Sequence, residues 1–263
     1  MKNITLILLS TLIVTLTSFT PGSYKDDQMR YPRVRQAYID KEQNVKELLT
    51  NNSIETENLR IYLRAFKSEK IIELWAKNQS DTEYKLIKEY DICKASGELG
   101  PKRRQGDEQV PEGYYKIDRF NPSSNFYLSL GINYPNKSDR ILGVKGRLGG
   151  DIFIHGDCVT IGCMPITDDQ IKELYIFCVE AKDNGQKNIP VTVFPTKMTD
   201  ENYSNIKKIE QKGTPGLLGA TKSTENYKDR LWADLKSGYD YFNETKQLPD
   251  VVILDNGRYE VKK

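Results

Sequence analysis

Residues 154–163 read Ile-His-Gly-Asp-Cys-Val-Thr-Ile-Gly-Cys, so the chain's one histidine, His155, lies beside Cys158 and Cys163, two of its four cysteines. A free thiol ionises near pH 8.5, so a cysteine nucleophile working at neutral pH needs a base or a positive microenvironment. An imidazole titrating near pH 6.5 can take the thiol proton and return it to a leaving group. Asp151-Ile152-Phe153-Ile154 is short and rich in strand formers, which predicts a buried strand delivering His155 at its end. Gly156 then turns the chain. Gly162 lets the backbone approach closely, so that the N–H groups of Gly162 and Cys163 can face a developing oxyanion. The pattern is that of acyl transfer through a thioester, with Cys163 as nucleophile and His155 as base.

Two other uses of these residues set the alternatives. A zinc site built on Cys158 and Cys163 lacks a second histidine and would have to recruit a carboxylate or Cys93, so neither metal nor cofactor is expected. A Cys158–Cys163 disulfide would leave His155 as an ordinary strand-end residue and make the chain a non-catalytic binding protein. Cys-x-x-Cys near a βαβ pattern is absent, which removes a thioredoxin-like oxidoreductase. Cys178 falls on the apolar face of a helix and is expected to be a core thiol. Cys93, at a strand end, is open between core filler and disulfide partner.

The run 154–163 resembles the active-site segment of L,D-transpeptidase (YkuD-like) catalytic domains, most closely the YafK-like branch. Thr160-Ile161-Gly162-Cys163 matches the family's Ser/Thr-x-Gly-Cys element, and His155 matches its base. Val110 to Ile117 and Ser129 to Asn136, the latter carrying Tyr134-Pro135-Asn136, resemble two upstream elements. The chain departs from the broad family at Ile161, where a second histidine is usual, in the short spacing from His155 to Cys163, and at Met164-Pro165, where a polar residue is usual. The short spacing and Gly-Asp-Cys point to the YafK-like branch. The resemblance covers residues 58–200 and implies an α+β, β-rich core, sandwich- or barrel-like, with flanking helices. It implies peptidoglycan stem peptides as substrate, attacked at the carbonyl of the L-centre of a diamino acid, and as a further possible partner a wall-linked protein. It also implies that a backbone carbonyl orients His155. Tyr134, Arg147, Asp157, Thr160 and Ile161 are the expected substrate contacts, Asp157 doubling as a loop cap.

Composition frames this site. The chain has 263 residues, 38% hydrophobic and 29% charged, as in a globular protein. A net charge of +2 without an arginine-rich or aromatic-interleaved patch gives no reason to expect nucleic acid. Lys2 and the apolar run Ile4 to Val14 read as a secretory signal within residues 1–23, which predicts export to the periplasm or cell envelope, with membrane contact only through that signal or anchor.

The elements that must position the site follow from periodicity. A helical segment is expected over 24–57, with Val34, Ala37, Tyr38, Val45, Leu48 and Leu49 on one face. Strands are expected at 59–66, 71–77, 84–93 and 191–194 within a catalytic domain over 58–200. Residues 96–113 read as a mobile loop near the site. Thr167 and Gln170 form a capping-box pattern opening a helix that ends near Gly185. Beyond a linker at 212–216, residues 201–263 form an α/β appendage, with Tyr227, Leu231, Leu235, Tyr239 and Phe242 as a packing stripe and a hairpin turning at Asp255-Asn256-Gly257.

Overall fold

Leu59–Phe66 becomes an interior strand of the sheet, β1, buried on both faces. Ile61, Leu63 and Ala65 join one core, while Tyr62, Arg64 and Phe66 face another, so the period-2 alternation sorts large aromatics from aliphatics rather than polar from apolar. The computed structural model describes residues 22–211 and 222–262. Residues 1–21 of the expected signal and the 212–216 linker lie outside these residues, while Ser23 caps the first helix. Among them, no helix is long and apolar enough to cross a membrane.

The fold is α+β. Around β1 lie β2 (Ile71–Asn78), β3 (Lys85–Asp91), β4 (Gly113–Asn121), β5 (Ser129–Ile132), β6 (Phe153–His155), β7 (Met164–Pro165) and β8 (Ile189–Phe194). They form one curled, half-barrel sheet in the order β3-β2-β1-β8-β4-β5-β6-β7, with β1/β8 and β6/β7 parallel and the other neighbours antiparallel. The curl brings its two edges together. Just past β3, the Cys93 N–H donates to the Pro165 carbonyl of β7 at 3.0 Å.

Helices cover both faces. On one side α4 (Asp168–Asp183) lies against the sheet, with α1 (Tyr24–Met29) and α2 (Pro32–Asn51) packed on it; the predicted face of α2 is buried, and Tyr38 donates to Glu180 at 2.8 Å. Thr167 caps α4 by accepting from the Gln170 N–H at 3.3 Å. The Gln170 side chain, however, does not close the expected box back on the cap backbone. It pairs with both backbone groups of Asp91, whose N–H it accepts at 2.9 Å, and so ties the helix start to the edge of the sheet.

The other side is covered by α6 (Lys222–Thr245), while α5 (Asp200–Gln211) and the hairpin β9 (Asp250–Ile253) and β10 (Tyr259–Lys262) complete its core. Leu231, Leu235, Tyr239 and Phe242 form the predicted stripe, and the side chain of Tyr227 lies outside the described residues. Arg64 is buried in this layer, its guanidinium 4.7 Å from the Tyr239 ring and 4.9 Å from the Phe242 ring, with Glu73 beside it. Strands β4 and β5 and the short helix α3 (Lys137–Leu142) were not legible from periodicity; a six-residue helix completes too few turns to show one.

The 96–113 segment has no regular structure, as expected, but it is pinned rather than loose. Asp107 accepts from the N–H groups of Arg103, Arg104 and Gln109 and from the Lys102 ammonium. Glu112, 1% exposed, accepts from the Gly100 N–H at 2.6 Å, the Lys67 ammonium at 3.0 Å and the Trp232 indole N–H of α6 at 2.8 Å. Burial pushes the Lys67 amine down in pKa and the Glu112 carboxylate opposes that shift. Glu112→Ala would strand a buried cation and an indole N–H, and it is expected to cost about 3–5 kcal/mol in urea unfolding; a loss below 1 kcal/mol would show that the site is hydrated instead.

Candidate active site

Strand β6 ends on His155, paired with Ser129 of β5 and Pro165 of β7. The imidazole is 1% exposed and packs against Phe126 with ring centroids 4.6 Å apart. Nδ1 lies 2.5 Å from the Gly156 carbonyl oxygen. A carbonyl can only accept, so Nδ1 carries the proton and Nε2 is left with its lone pair. Burial lowers the His155 pKa, against smaller opposing effects of the Gly156 carbonyl and Asp157, which keeps the ring neutral at neutral pH. A backbone carbonyl therefore orients this histidine. Asp157 instead caps its own loop, accepting from the Cys158 N–H at 2.6 Å.

Cys163 stands immediately before β7. Parallel pairing of Ile154 with Met164 and His155 with Pro165 brings Cys163, the residue before β7, alongside the start of β6, the strand that ends on His155. The thiol is half-buried, 3.6 Å from the Asp151 carbonyl, and burial raises its pKa while the Phe153 N–H opposes the rise. Thiol and imidazole are thus both uncharged at rest.

The turn into Cys163 is built on Thr160. Its Oγ1 accepts from the Cys163 N–H at 2.8 Å and the Gly162 N–H at 3.2 Å, and donates to the Cys163 carbonyl at 2.8 Å. The two N–H groups expected to face an oxyanion are therefore held by a hydroxyl. Gly162 has φ +131, a backbone conformation that favours glycine, and a Cβ there would sit tightly, 3.1 Å from the Gln109 carbonyl. At Gly156 a Cβ would lie 2.4 Å from Asp168 Oδ1, which accepts the Asp157 N–H at 2.8 Å. Asp168 read in sequence only as part of a helix start, and its hold on the histidine loop had no local signal.

Other predicted residues separate. Ile161 is 79% exposed at the loop crest. Arg147 is exposed in the loop between α3 and β6 rather than entering a strand. Tyr134, expected to meet substrate, is 4% exposed and its phenol O–H lies 3.3 Å from the Leu148 carbonyl and 3.5 Å from that of Lys102, so it holds two loops together.

The cysteines also pair differently from the alternative considered above. Cys158 is bonded to Cys93, not to Cys163, which remains a free thiol; Cys178 is fully buried. The five-residue spacing of Cys158 and Cys163 suggested a local loop, whereas the sheet's curl carries Cys93 to the same place from 65 residues away. No metal-binding cluster of His, Cys, Asp or Glu occurs among the described residues. Cys163 and Met164 line a cleft of about 280 Å3, with Val110, Leu99 and the segment 94–98 opposite.

A sequence model of the YkuD family, described as the L,D-transpeptidase catalytic domain, matches residues 60–193. The chain is 39% identical over 205 residues to the Escherichia coli (strain K12) protein named "Putative L,D-transpeptidase YafK", covering 77% of this chain and 74% of that protein. Among solved structures, the helical cell shape determining protein Pgp2 of Campylobacter jejuni aligns with TM-score 0.42 and 16% identity over 75% of this chain and 74% of that one. The match to its K307A mutant, at TM-score 0.42 and 19% identity, covers 70% of this chain but only 56% of that chain. Bd1075 of Bdellovibrio bacteriovorus aligns at TM-score 0.39 and 17% identity over 77% of this chain and 82% of that one.

Replacing Cys93 tests what the observed pairing protects. In Cys93→Ser the freed Cys158 thiol shares a loop with Cys163, and oxidised glutathione is expected to drive them into a disulfide, leaving Cys178 as the one remaining thiol by intact mass after alkylation in denaturant. The Cys93→Ser/Cys158→Ser protein should keep Cys163 free of any intramolecular partner. Recovery of a free Cys163 and a free Cys158 from the single variant would show that the loop holds them apart.

Proposed function

Because the chain belongs to the L,D-transpeptidase catalytic domain family, we propose that it is an exported cysteine acyl transferase acting on peptidoglycan stem peptides, with Cys163 as nucleophile and His155 as base. The observation that supports this best is the parallel register of β6 and β7, which sets a half-buried thiol that opens on a cleft beside the strand carrying a neutral imidazole, its Nδ1–H fixed on the Gly156 carbonyl.

In this reading His155 Nε2 takes the Cys163 proton as Sγ attacks the carbonyl at the L-centre of a diaminopimelate-type residue. The negative charge on the tetrahedral oxygen draws the Gly162 and Cys163 N–H groups away from Thr160, whose hydroxyl holds them in place until substrate arrives. Collapse of the intermediate passes the proton from His155 to the departing amine and leaves a thioester. An incoming amine on a second stem peptide regenerates the thiol and makes a cross-link. Water in its place makes the same chemistry an L,D-carboxypeptidase or, where the departing amine belongs to a wall-linked protein, an amidase.

Two neutral partners set the pH behaviour. The base form of His155 is lost as pH falls through its pKa, which burial places below the ordinary value of about 6.5. Turnover should therefore be flat around neutrality and fall on the acid side of pH 6.5, while alkylation by iodoacetamide, which needs the thiolate, should climb into the alkaline range because burial raises the thiol pKa. An acid limb at or above pH 7 would contradict a buried neutral base. Muropeptides carrying diaminopimelate, incubated with wild type, Cys163→Ala and His155→Ala, test the reaction by mass spectrometry. Cys163→Ala should abolish the thioester adduct, and His155→Ala should slow its formation by about 10²–10⁴-fold. The product mass distinguishes cross-linking, trimming and protein release; no adduct with wild type on any wall substrate would overturn the proposal.

A further inference from the structure

The cleft beside Cys163 carries a charge pattern that the thioester chemistry does not use. Its floor is apolar, from Ala65, Ile92, Leu99, Val110 and Met164, and its ionisable lining is Lys67, Lys70, Lys94, Glu98 and the Cys163 thiol. Lys67 is committed elsewhere, since its ammonium is spent on Glu112 and on the carbonyls of Gly100 and Val110. Lys70 and Lys94 are exposed, and no ion pair holds either of them among the described residues.

Their placement follows from the meeting of the sheet edges. The Ile92 N–H donates to the Lys70 carbonyl at 2.7 Å, and the next residue, Cys93, donates to Pro165 at 3.0 Å. Residues 92–94 therefore run between Lys70 on one side and the strand that begins right after Cys163 on the other. The disulfide from Cys93 to Cys158 fixes Lys94 against the nucleophile loop. Two uncommitted cations against one carboxylate, over an apolar floor and a free thiol, make a cavity suited to a small anionic acyl group. Its volume of about 280 Å3 is at the small end of ligand clefts, which run from roughly 300 to 1,000 Å3, and suits the end of a short peptide.

We propose that Lys70 and Lys94 form a carboxylate-binding rim that selects donor peptides by a free carboxylate and orients them toward Cys163. The assignment of the donor as a stem peptide rests on the function proposed above; the anion-binding rim does not.

Two measurements keep these apart. The first compares alkylation of Cys163 by iodoacetate and by iodoacetamide, which differ in charge and need no turnover. Relative to wild type, Lys70→Gln and Lys94→Gln should each lower the iodoacetate-to-iodoacetamide rate ratio by about two- to fivefold, with the iodoacetamide rate unchanged, and the corresponding Arg variants should restore it. The effect should fade in 0.5–1 M salt, where the screening length shrinks to about 3–4 Å. The second measures turnover of diaminopimelate-containing muropeptides with free or amidated carboxylates: the Gln variants should raise KM for the free acid, leave kcat near wild type and not affect the amidated donor. An unchanged alkylation ratio in both Gln variants would overturn the rim. A shifted ratio with no wall-peptide turnover by wild type would sustain the rim and overturn the proposed reaction.

Discussion

One backbone hydrogen bond, from the Cys93 N–H to the Pro165 carbonyl, joins the two edges of the sheet, and the arrangement around Cys163 depends on it. Strand β7 is only two residues long and would have little to hold it if it relied on β6 alone. Contact with the far edge gives it a second partner, and the Cys93–Cys158 disulfide clamps the loop that precedes it. The Gln170 side chain adds a third link by engaging both backbone groups of Asp91. Residues 156–163 are thereby held at both ends while their crest, Ile161, stays in solvent. This combination of rigidity and exposure suits the nucleophile role proposed for Cys163, since an attacking atom must be accessible and its approach fixed.

Electrostatically the site is quiet at rest. Burial discourages charge on both the imidazole and the thiol, and the polar groups nearby are paired locally: Nδ1 with Gly156, the thiol with Asp151, and the Gly162 and Cys163 N–H groups with Thr160. A preformed thiolate–imidazolium pair would need compensation that these surroundings do not offer. The general-base attack proposed above, in which the proton moves as the bond forms, is compatible with them. The ionisable side chains lining the adjoining cleft, besides the thiol, are Lys67, which pairs with Glu112, and Lys70, Lys94 and Glu98.

The layer opposite α4 is organised by buried charge as much as by apolar packing. Glu112 gathers Lys67, Gly100 and Trp232, connecting the end of β1, the cleft wall and α6, while Arg64 sits among aromatic rings with Glu73. Such groups are costly to bury and costlier still to leave unpaired. They give α6 a fixed position against the sheet, so that the C-terminal segment shares a core with the strands and anchors the wall of the cleft.

Much of this was legible in the residues. Local chemistry marks His155, Gly162 and Cys163, because histidine and glycine owe their usefulness to short-range properties, a titratable ring and a free backbone. Periodicity places β1, β2, α2 and α4, since each is long enough to repeat its pattern and buries the face that the pattern predicts. Family membership was readable from the same ten residues and two upstream elements. Only the tertiary structure decided the rest. Cys158 could bond to Cys163 or Cys93 as far as spacing goes, and it took the curl of an eight-stranded sheet to bring Cys93 near. Tyr134 in a matched element looks like a substrate contact until burial shows it bracing two loops. Thr160 and Glu112 acquire their partners from the exact turn they occupy or from residues far away in sequence. Side-chain type and period are properties of a segment and can be read from it; pairing across a curled sheet depends on long-range contacts, and those exist only once the chain has folded.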